Sequence, residues 1–127
     1  MILVDTSIWI DHFRYGDNEL RGILEEDRLL CHPFVIGELA LGSLRNRDAV
    51  IALLEAQHQA LIATHEEVML MIERHSMSSM GIGYTDANLL ASTLLDRRYA
   101  LWTRDKRLIA AAQKAGALLH TPTSIVS

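Results

Sequence analysis

Four acidic residues occupy turning points of the chain: Asp5, Glu38, Asp86 and Asp105. Asp5 closes the apolar run Met1-Ile2-Leu3-Val4, and Asp105 follows the run Ala100-Leu101-Trp102-Thr103. Glu38 interrupts the apolar segment Pro33–Leu44, and Asp86 opens a helical pattern after Gly81-Ile82-Gly83-Tyr84-Thr85. Three of the four therefore fall at strand ends or helix starts, where open α/β sheets build their ligand crevices. Two carboxylates about 5 Å apart repel by roughly 3 kcal/mol at an effective dielectric near 20. If the four converge, only a hard cation stabilises the pocket, and such a cation brings metal-assisted hydrolytic chemistry with it.

Each acid also has a plainer explanation. A strand leads Asp5 towards the core, so its carboxylate needs a partner or an exposed edge. A helix cap would suffice, but Thr6 and Ser7 already offer caps and could instead orient metal-bound water. Glu38 has Phe34, Val35, Leu41 and Gly42 three or four positions away on a helix, a face on which an unpaired carboxylate is costly. Its competing explanation is a salt bridge to Arg45. Asp86 lies in a first helical turn, where any acid gains from the dipole. Asp105 taken alone needs no explanation beyond an N-cap.

The elements that must position these acids alternate along the chain. Short apolar runs predict strands at Met1–Val4, Arg28–Cys31, Leu61–Thr64, Ala100–Thr103 and Ala117–His120. None shows a clean two-residue alternation, as expected for strands covered on both faces. Helices are predicted between them. The first starts at Thr6 or Ser7, the second runs from Asp17 or Asn18 to about Glu26, and the third has Pro33 in its first turn. Arg47–His58 reads as a fourth, and His65-Glu66-Glu67 starts a fifth. Thr85 caps a sixth, whose stripe Ala87, Leu90, Ala91, Leu94 and Leu95 marks one buried face. Asp105 caps a seventh, which Gly116 ends. Ser76–Gly83 is the loosest stretch. This alternation implies an α/β fold of three layers, with about seven helices around a central, mainly parallel sheet of four to five strands.

Bulk properties set the outer limits. A chain of 127 residues, half of them hydrophobic, is expected to form a single domain over residues 1–127. No apolar stretch reaches the ~20 residues of a membrane span, and the N-terminus begins as a strand without a charged leader. The single cysteine, Cys31, sits in an apolar run and reads as a core residue in a reducing compartment. The net charge of −4 argues against nucleic acid, but its distribution softens that objection. Arg97, Arg98, Arg104, Lys106 and Arg107 are five of the twelve basic residues, and Arg45 and Arg47 follow the Glu38 helix. An acidic pocket rimmed by such cations could hold a polyanion through a bridging metal. A helix-end cluster that complements a dipole explains the same arginines equally well.

Other chemistries fail on spacing. The six histidines are scattered, with no His-x-x-x-His pair and no cysteine cluster, so zinc is unsupported. No Gly-x-Ser-x-Gly elbow, phosphate loop or dinucleotide fingerprint occurs. Met69, Met71, Met77 and Met80 read as core or interface filler, and Trp9 and Phe13 as core.

Together, Ile2-Leu3-Val4-Asp5-Thr6-Ser7, the Glu38 helix, Thr85-Asp86-Ala87-Asn88-Leu89-Leu90-Ala91 and Thr103-Arg104-Asp105 resemble the PIN-domain ribonucleases. In length and in its opening the chain is similar to the toxins of bacterial VapBC toxin–antitoxin pairs. The resemblance covers nearly the whole chain. It implies a metal-dependent endoribonuclease of the cytoplasm with an α/β/α fold, usually a homodimer, inhibited by a cognate VapB-type antitoxin. By position, Asp5, Glu38, Asp86 and Asp105 match the family's acidic quartet for Mg²⁺ or Mn²⁺. Asp5 and Asp86 are expected as direct ligands, with Glu38 and Asp105 acting through water or a second ion. Thr6 and Thr103 match supporting hydroxyls, and Arg45, Arg104, Lys106 and Arg107 are candidate RNA contacts. Leu108 departs from the phenylalanine of many relatives, which touches packing rather than chemistry.

Three alternatives remain beside that reading. A PIN-type ribonuclease of RNA processing, without an antitoxin, would use the same residues. An aspartate-based phosphatase or phosphotransferase would want a second aspartate where this chain has Ser7, and leaves Glu38 unexplained. A non-catalytic α/β scaffold would use the acids only as caps and ion pairs.

Overall fold

The computed structural model describes residues 1–122. Ile2-Leu3-Val4 forms strand β1 (Ile2–Val4), and all three side chains are buried, which an extended segment achieves only inside a sheet covered on both faces. Strands β2 (Leu29–Cys31), β3 (His58–Gln59) and β4 (Ala100–Trp102) complete a four-stranded sheet of order β3-β2-β1-β4. Every pairing is parallel, with Ile2 opposite both Leu29 and Ala100. Seven helices are found among the described residues: α1 (Thr6–Tyr15), α2 (Asn18–Glu25), α3 (Pro33–Leu41), α4 (Arg47–Glu55), α5 (His65–Arg74), α6 (Tyr84–Leu94) and α7 (Lys106–Ala115).

This strand order determines where a crevice opens. The chain steps outward from β1 to β2 to β3, then jumps back across the sheet to place β4 on the other side of β1. Right-handed crossovers consequently put α1 to α4 on one face and α5 to α7 on the other. The contacts agree, joining α1 with α3, α3 with α4, α5 with α6, and α6 with α7. Connections leaving β1 and β4 diverge to opposite faces, which is the topological switch point of an open α/β sheet. Asp5 and Asp105 follow those two strands.

Packing around β1 holds the frame. Leu3, Val4, Ile8, Trp9, Leu29, Leu89, Leu90 and Leu101 are inaccessible or nearly so. Each such side chain contributes about 1.5–3 kcal/mol relative to exposure. Cys31 lies in this core, where burial pushes its thiol up to about 12, so it stays a neutral packing group.

Several expected elements differ. Asp5, not Thr6 or Ser7, caps α1, its carboxylate accepting from the Thr6 N–H. Helix α4 stops at Glu55, and His58, expected as its last residue, opens the edge strand His58–Gln59. The Leu61–Thr64 run is not a strand: Leu61 and Ile62 are exposed, and backbone pairing with β2 ends where the Ala60 N–H donates to the Cys31 carbonyl. Ala117–His120 contributes one parallel bridge, Leu101 with Leu119, rather than a fifth strand. Gly83 stands at the α6 N-cap with no side-chain bond, so Thr85 lies inside that helix. Asp17 caps α2 as expected, and Gly116 ends α7 in a left-handed conformation, φ 75°.

Candidate active site

Asp5 is the centre of a hydrogen-bond cluster at the switch point. Its backbone N–H donates to the Trp102 carbonyl at 3.0 Å, so β4 fixes its position. Its Oδ1 accepts from the Thr6 N–H at 2.7 Å, and its Oδ2 accepts from Ser7 Oγ at 3.2 Å and Thr103 Oγ1 at 2.8 Å. Thr103 Oγ1 in turn accepts from the Asp105 N–H at 3.1 Å. The loops after β1 and β4 are thereby tied together through two side chains 98 positions apart. Asp5 and Thr103 are buried.

Glu38 reaches the same cluster from α3, where its Oε1 accepts from Thr6 Oγ1 at 2.8 Å. The expectation of an apolar face around Glu38 is corrected here. Its side chain is exposed, and Leu41 beyond it is 90% exposed. The partner is Thr6 rather than Arg45, which forms no ion pair among the described residues.

Asp86 is half-buried in the first turn of α6. Its carboxyl is raised to about 6 by burial first, then by the negative charges of Asp5, Asp105 and Glu38, against a lowering backbone hydrogen bond from Gly83. All three other acids of the sequence-derived quartet thus act on Asp86, and the four share one region of negative potential. Asp105 is exposed and caps α7, its Oδ1 accepting from the Arg107 and Leu108 N–H groups. It serves as cap and as acid, so the two readings of the sequence are not exclusive.

The basic candidates separate. Arg104 is committed to the fold, pairing with Asp11 at 2.6 Å and Asp17 at 2.8 Å while lying over the Trp102 ring. Burial pushes Asp17 up, but the Leu20 N–H and Arg104 outweigh it and hold the carboxyl below its usual value. Arg104 is therefore a clamp between the β4 loop and the α1–α2 corner, so the guanidinium expected to contact RNA is already engaged within the fold. Arg107 lies against Gly81: a Cβ there would meet its Cδ at 3.0 Å, and the φ of +80° already favours glycine. Lys106 is exposed at the start of α7. Arg45 lines a hollow beside α1.

One positioning group escaped the sequence reading, which passed over His32 among scattered histidines. His32 is fully buried and caps α3, its Nδ1 accepting from the Phe34 N–H at 3.0 Å. That bond leaves the proton on Nε2, which donates to Ser92 Oγ of α6 at 3.1 Å. It therefore links the helix bearing Glu38 to the helix bearing Asp86. A polar residue between a strand end and Pro33 was the available signal for the cap. The Ser92 partner was not readable.

Burial lowers His32 to about 4. An unfolded chain takes up a proton near pH 6.5 that the folded protein refuses, so stability falls as pH drops from about 6.5 to about 4. The loss attributable to His32 is of order 3 kcal/mol. In His32→Asn, which retains a capping acceptor, urea denaturation between pH 7 and pH 4.5 should show a distinctly shallower loss. An unchanged slope would assign the acid sensitivity elsewhere.

Comparison with known proteins agrees with this arrangement. The PIN domain family matches residues 2–114. Ribonuclease VapC32 of Mycobacterium tuberculosis strain CDC 1551 / Oshkosh is 49% identical over 124 residues, covering 98% of this chain and 100% of that protein. Ribonuclease VapC32 of strain ATCC 25618 / H37Rv matches to the same extent. Among solved structures, that of FitAB bound to an IR36 DNA fragment has a TM-score of 0.63 at 15% identity, over 100% of this chain and 99% of that one. At that identity the structural likeness supports the fold alone. The sheet order, the acids at its switch point and the full-length similarity agree: this chain belongs to the PIN-domain family, in its VapC ribonuclease branch.

Proposed function

We infer that this chain is an endoribonuclease that hydrolyses RNA phosphodiester bonds as the toxin of a toxin–antitoxin pair. The observation that carries this reading is the gathering of Asp5, Glu38, Asp86 and Asp105 at the switch point of a chain 49% identical to a ribonuclease. All four are oxygen donors. Among the described residues, no group of three or more His, Cys, Asp or Glu side chains is drawn together closely enough to hold a metal ion by itself. An open ring of carboxylates suits an ion that takes one or two of them directly and retains water, as Mg²⁺ does.

Hydrogen-bond counting supports a division of roles. A carboxylate has about four acceptor sites, and Asp5 has filled three of them. Its remaining Oδ1 site and the carboxylate of Asp86 would hold the ion directly, while Glu38 and Asp105 would act through water or a second ion. When bound, Mg²⁺ or Mn²⁺ supplies a Lewis acid for the scissile phosphate and a water of lowered pKa. Glu38 Oε2 and Asp105 Oδ2 make no hydrogen bond among the described residues, so they are the acceptors available for the attacking water's proton. Thr6 and Thr103 hold Glu38 and Asp5 in place. Arg45, Lys106 and Arg107 approach the RNA backbone. The products are a 5′-phosphate and a 3′-hydroxyl.

The reading extends to partners. A VapB-type antitoxin encoded beside this gene would offer arginine or lysine to the acids and displace the ion. Leu70 of α5, Leu94 at the end of α6 and Leu95 just beyond it, exposed beside one another, suit a homodimer interface. No helix among the described residues is long and apolar enough to cross a membrane, which accords with action in the cytoplasm.

Purified protein incubated with total RNA tests the proposal. Cleavage should require Mg²⁺ or Mn²⁺, stop with EDTA, and yield ends ligatable as 5′-phosphates. RNA left intact with both ions would end the nuclease reading. Co-expression that gives neither a complex nor relief of toxicity would remove the antitoxin.

A further inference from the structure

A cavity of about 720 Å³ opens between the C-terminal end of α1 and the α3–α4 connection, with Arg14, Tyr15, Arg45 and Asn46 on its walls. A second cavity, about 330 Å³, shares Phe13, Arg14, Ser43 and Leu44 with the first and includes Glu38. The two adjoin along those four shared residues, and the second reaches Glu38 of the acid cluster.

The chemistry of the first cavity is that of a nucleic-acid seat. Arg14 and Arg45 are exposed, and neither has an ion-pair or hydrogen-bond partner among the described residues. Arg14 lies in the last turn of α1, where the helix dipole favours a cation. That accounts for Arg14 alone, and not for a second guanidinium from another element lining the same hollow. Tyr15 is 81% exposed, a large aromatic face in water at the same rim. Asn46 takes a left-handed conformation, φ 52°, and its side chain makes no capping bond. Two uncommitted cations beside an open aromatic ring match the needs of single-stranded nucleic acid, which offers phosphates and unstacked bases. An apolar protein segment would leave both guanidiniums unused.

We propose that this hollow seats nucleotides flanking the cleavage point, with Arg14 and Arg45 binding backbone phosphates and Tyr15 stacking on a base. The proposal rests on RNA being the substrate of the acid site. Its ligand is the strand beyond the scissile phosphate, so the hollow acts on substrate binding and not on the chemical step.

The test uses fluorescent single-stranded RNA of roughly 15 nucleotides, bound in EDTA to wild type, Arg14→Ala/Arg45→Ala and Tyr15→Ala over a range of salt. Losing two phosphate contacts should weaken binding about ten- to a hundredfold and flatten the logarithmic salt slope by about 1.4. Tyr15→Ala should weaken binding roughly tenfold without changing the slope, and an abasic oligonucleotide should be insensitive to it. With Mg²⁺, the double variant should raise KM and leave kcat unchanged. Because both arginines are exposed, melting temperatures should match wild type.

Wild-type affinity and salt slope in the double variant would overturn the proposal. So would a variant that loses a protein partner while still binding RNA normally. The two readings separate cleanly. Cleavage by wild type with undiminished binding by the double variant removes the hollow and leaves the nuclease. RNA binding that depends on Arg14 and Arg45, without cleavage in either ion, does the reverse.

Discussion

Asp5→Asn is expected to lower RNA cleavage by about 10³-fold or more, equivalent to about 4 kcal/mol of barrier, with the fold retained. The asymmetry follows from what surrounds the side chain. Asparagine is as good an N-cap as aspartate, so α1 keeps its Thr6 bond. Ser7 and Thr103 contact the carboxylate through hydroxyls, which can rotate to accept from an amide. Only the charge disappears, and with it the metal ligand proposed at the position β4 holds in place. Initial rates on total RNA, together with a thermal melt, measure both halves. A wild-type rate in this variant would remove Asp5 from the mechanism, and unfolding would show that its charge serves the structure.

Asp86→Asn should act in opposite directions on stability and activity. The Asp86 carboxyl is raised to about 6 by burial and by three neighbouring acids. The folded state therefore resists ionisation that an unfolded chain accepts near pH 3.8. The resulting penalty is absent in strong acid, grows as pH rises through that interval, and is full above about 6. Because Asp86 is only half-buried, solvent screening leaves roughly 1 kcal/mol of it at neutral pH. Without divalent ions, Asp86→Asn should melt a few degrees above wild type at pH 7.5, on a scale of roughly 4 °C per kcal/mol. At pH 3.5 the two should coincide. Mg²⁺ should raise the wild-type melting temperature and have little effect on the variant, whose cleavage should be lost. A variant less stable than wild type at pH 7.5, or one that retains the full Mg²⁺ response, would contradict a shared anionic site.

Local signals in the sequence were legible for part of the frame, although not for the caps of α1 and α6. Four apolar residues before Asp5 could only be a covered strand, Asp17 and Asp105 are caps of standard chemistry, and Gly116 ends α7 as its position implied. Three of the acids stood out because they follow a strand or open a helix, and Glu38 because it interrupts an apolar helical run. Backbone pairing was not legible. His58-Gln59 is exposed and polar, so nothing in its side chains marks a strand, and its identity comes from β2 lying alongside. Conversely, Leu61-Ile62 looks like a strand but points into solvent. Partners distant in the chain were equally hidden. Arg104 finds Asp11 and Asp17 at separations of 93 and 87 positions, and His32 finds Ser92 at 60. Composition supplies many acids for each arginine, and only the folded geometry chooses among them.

The placement of β1 between β2 and β4 has a consequence for synthesis. Ribosomes deliver a chain from its N-terminus, so the central strand emerges before both neighbours and waits about a hundred residues for one of them. Until then Asp5 lacks the Trp102 carbonyl, the Thr103 hydroxyl and the company of Asp86 and Asp105. A translation product that stops short of Thr103 therefore never seats Asp5 between its two strands.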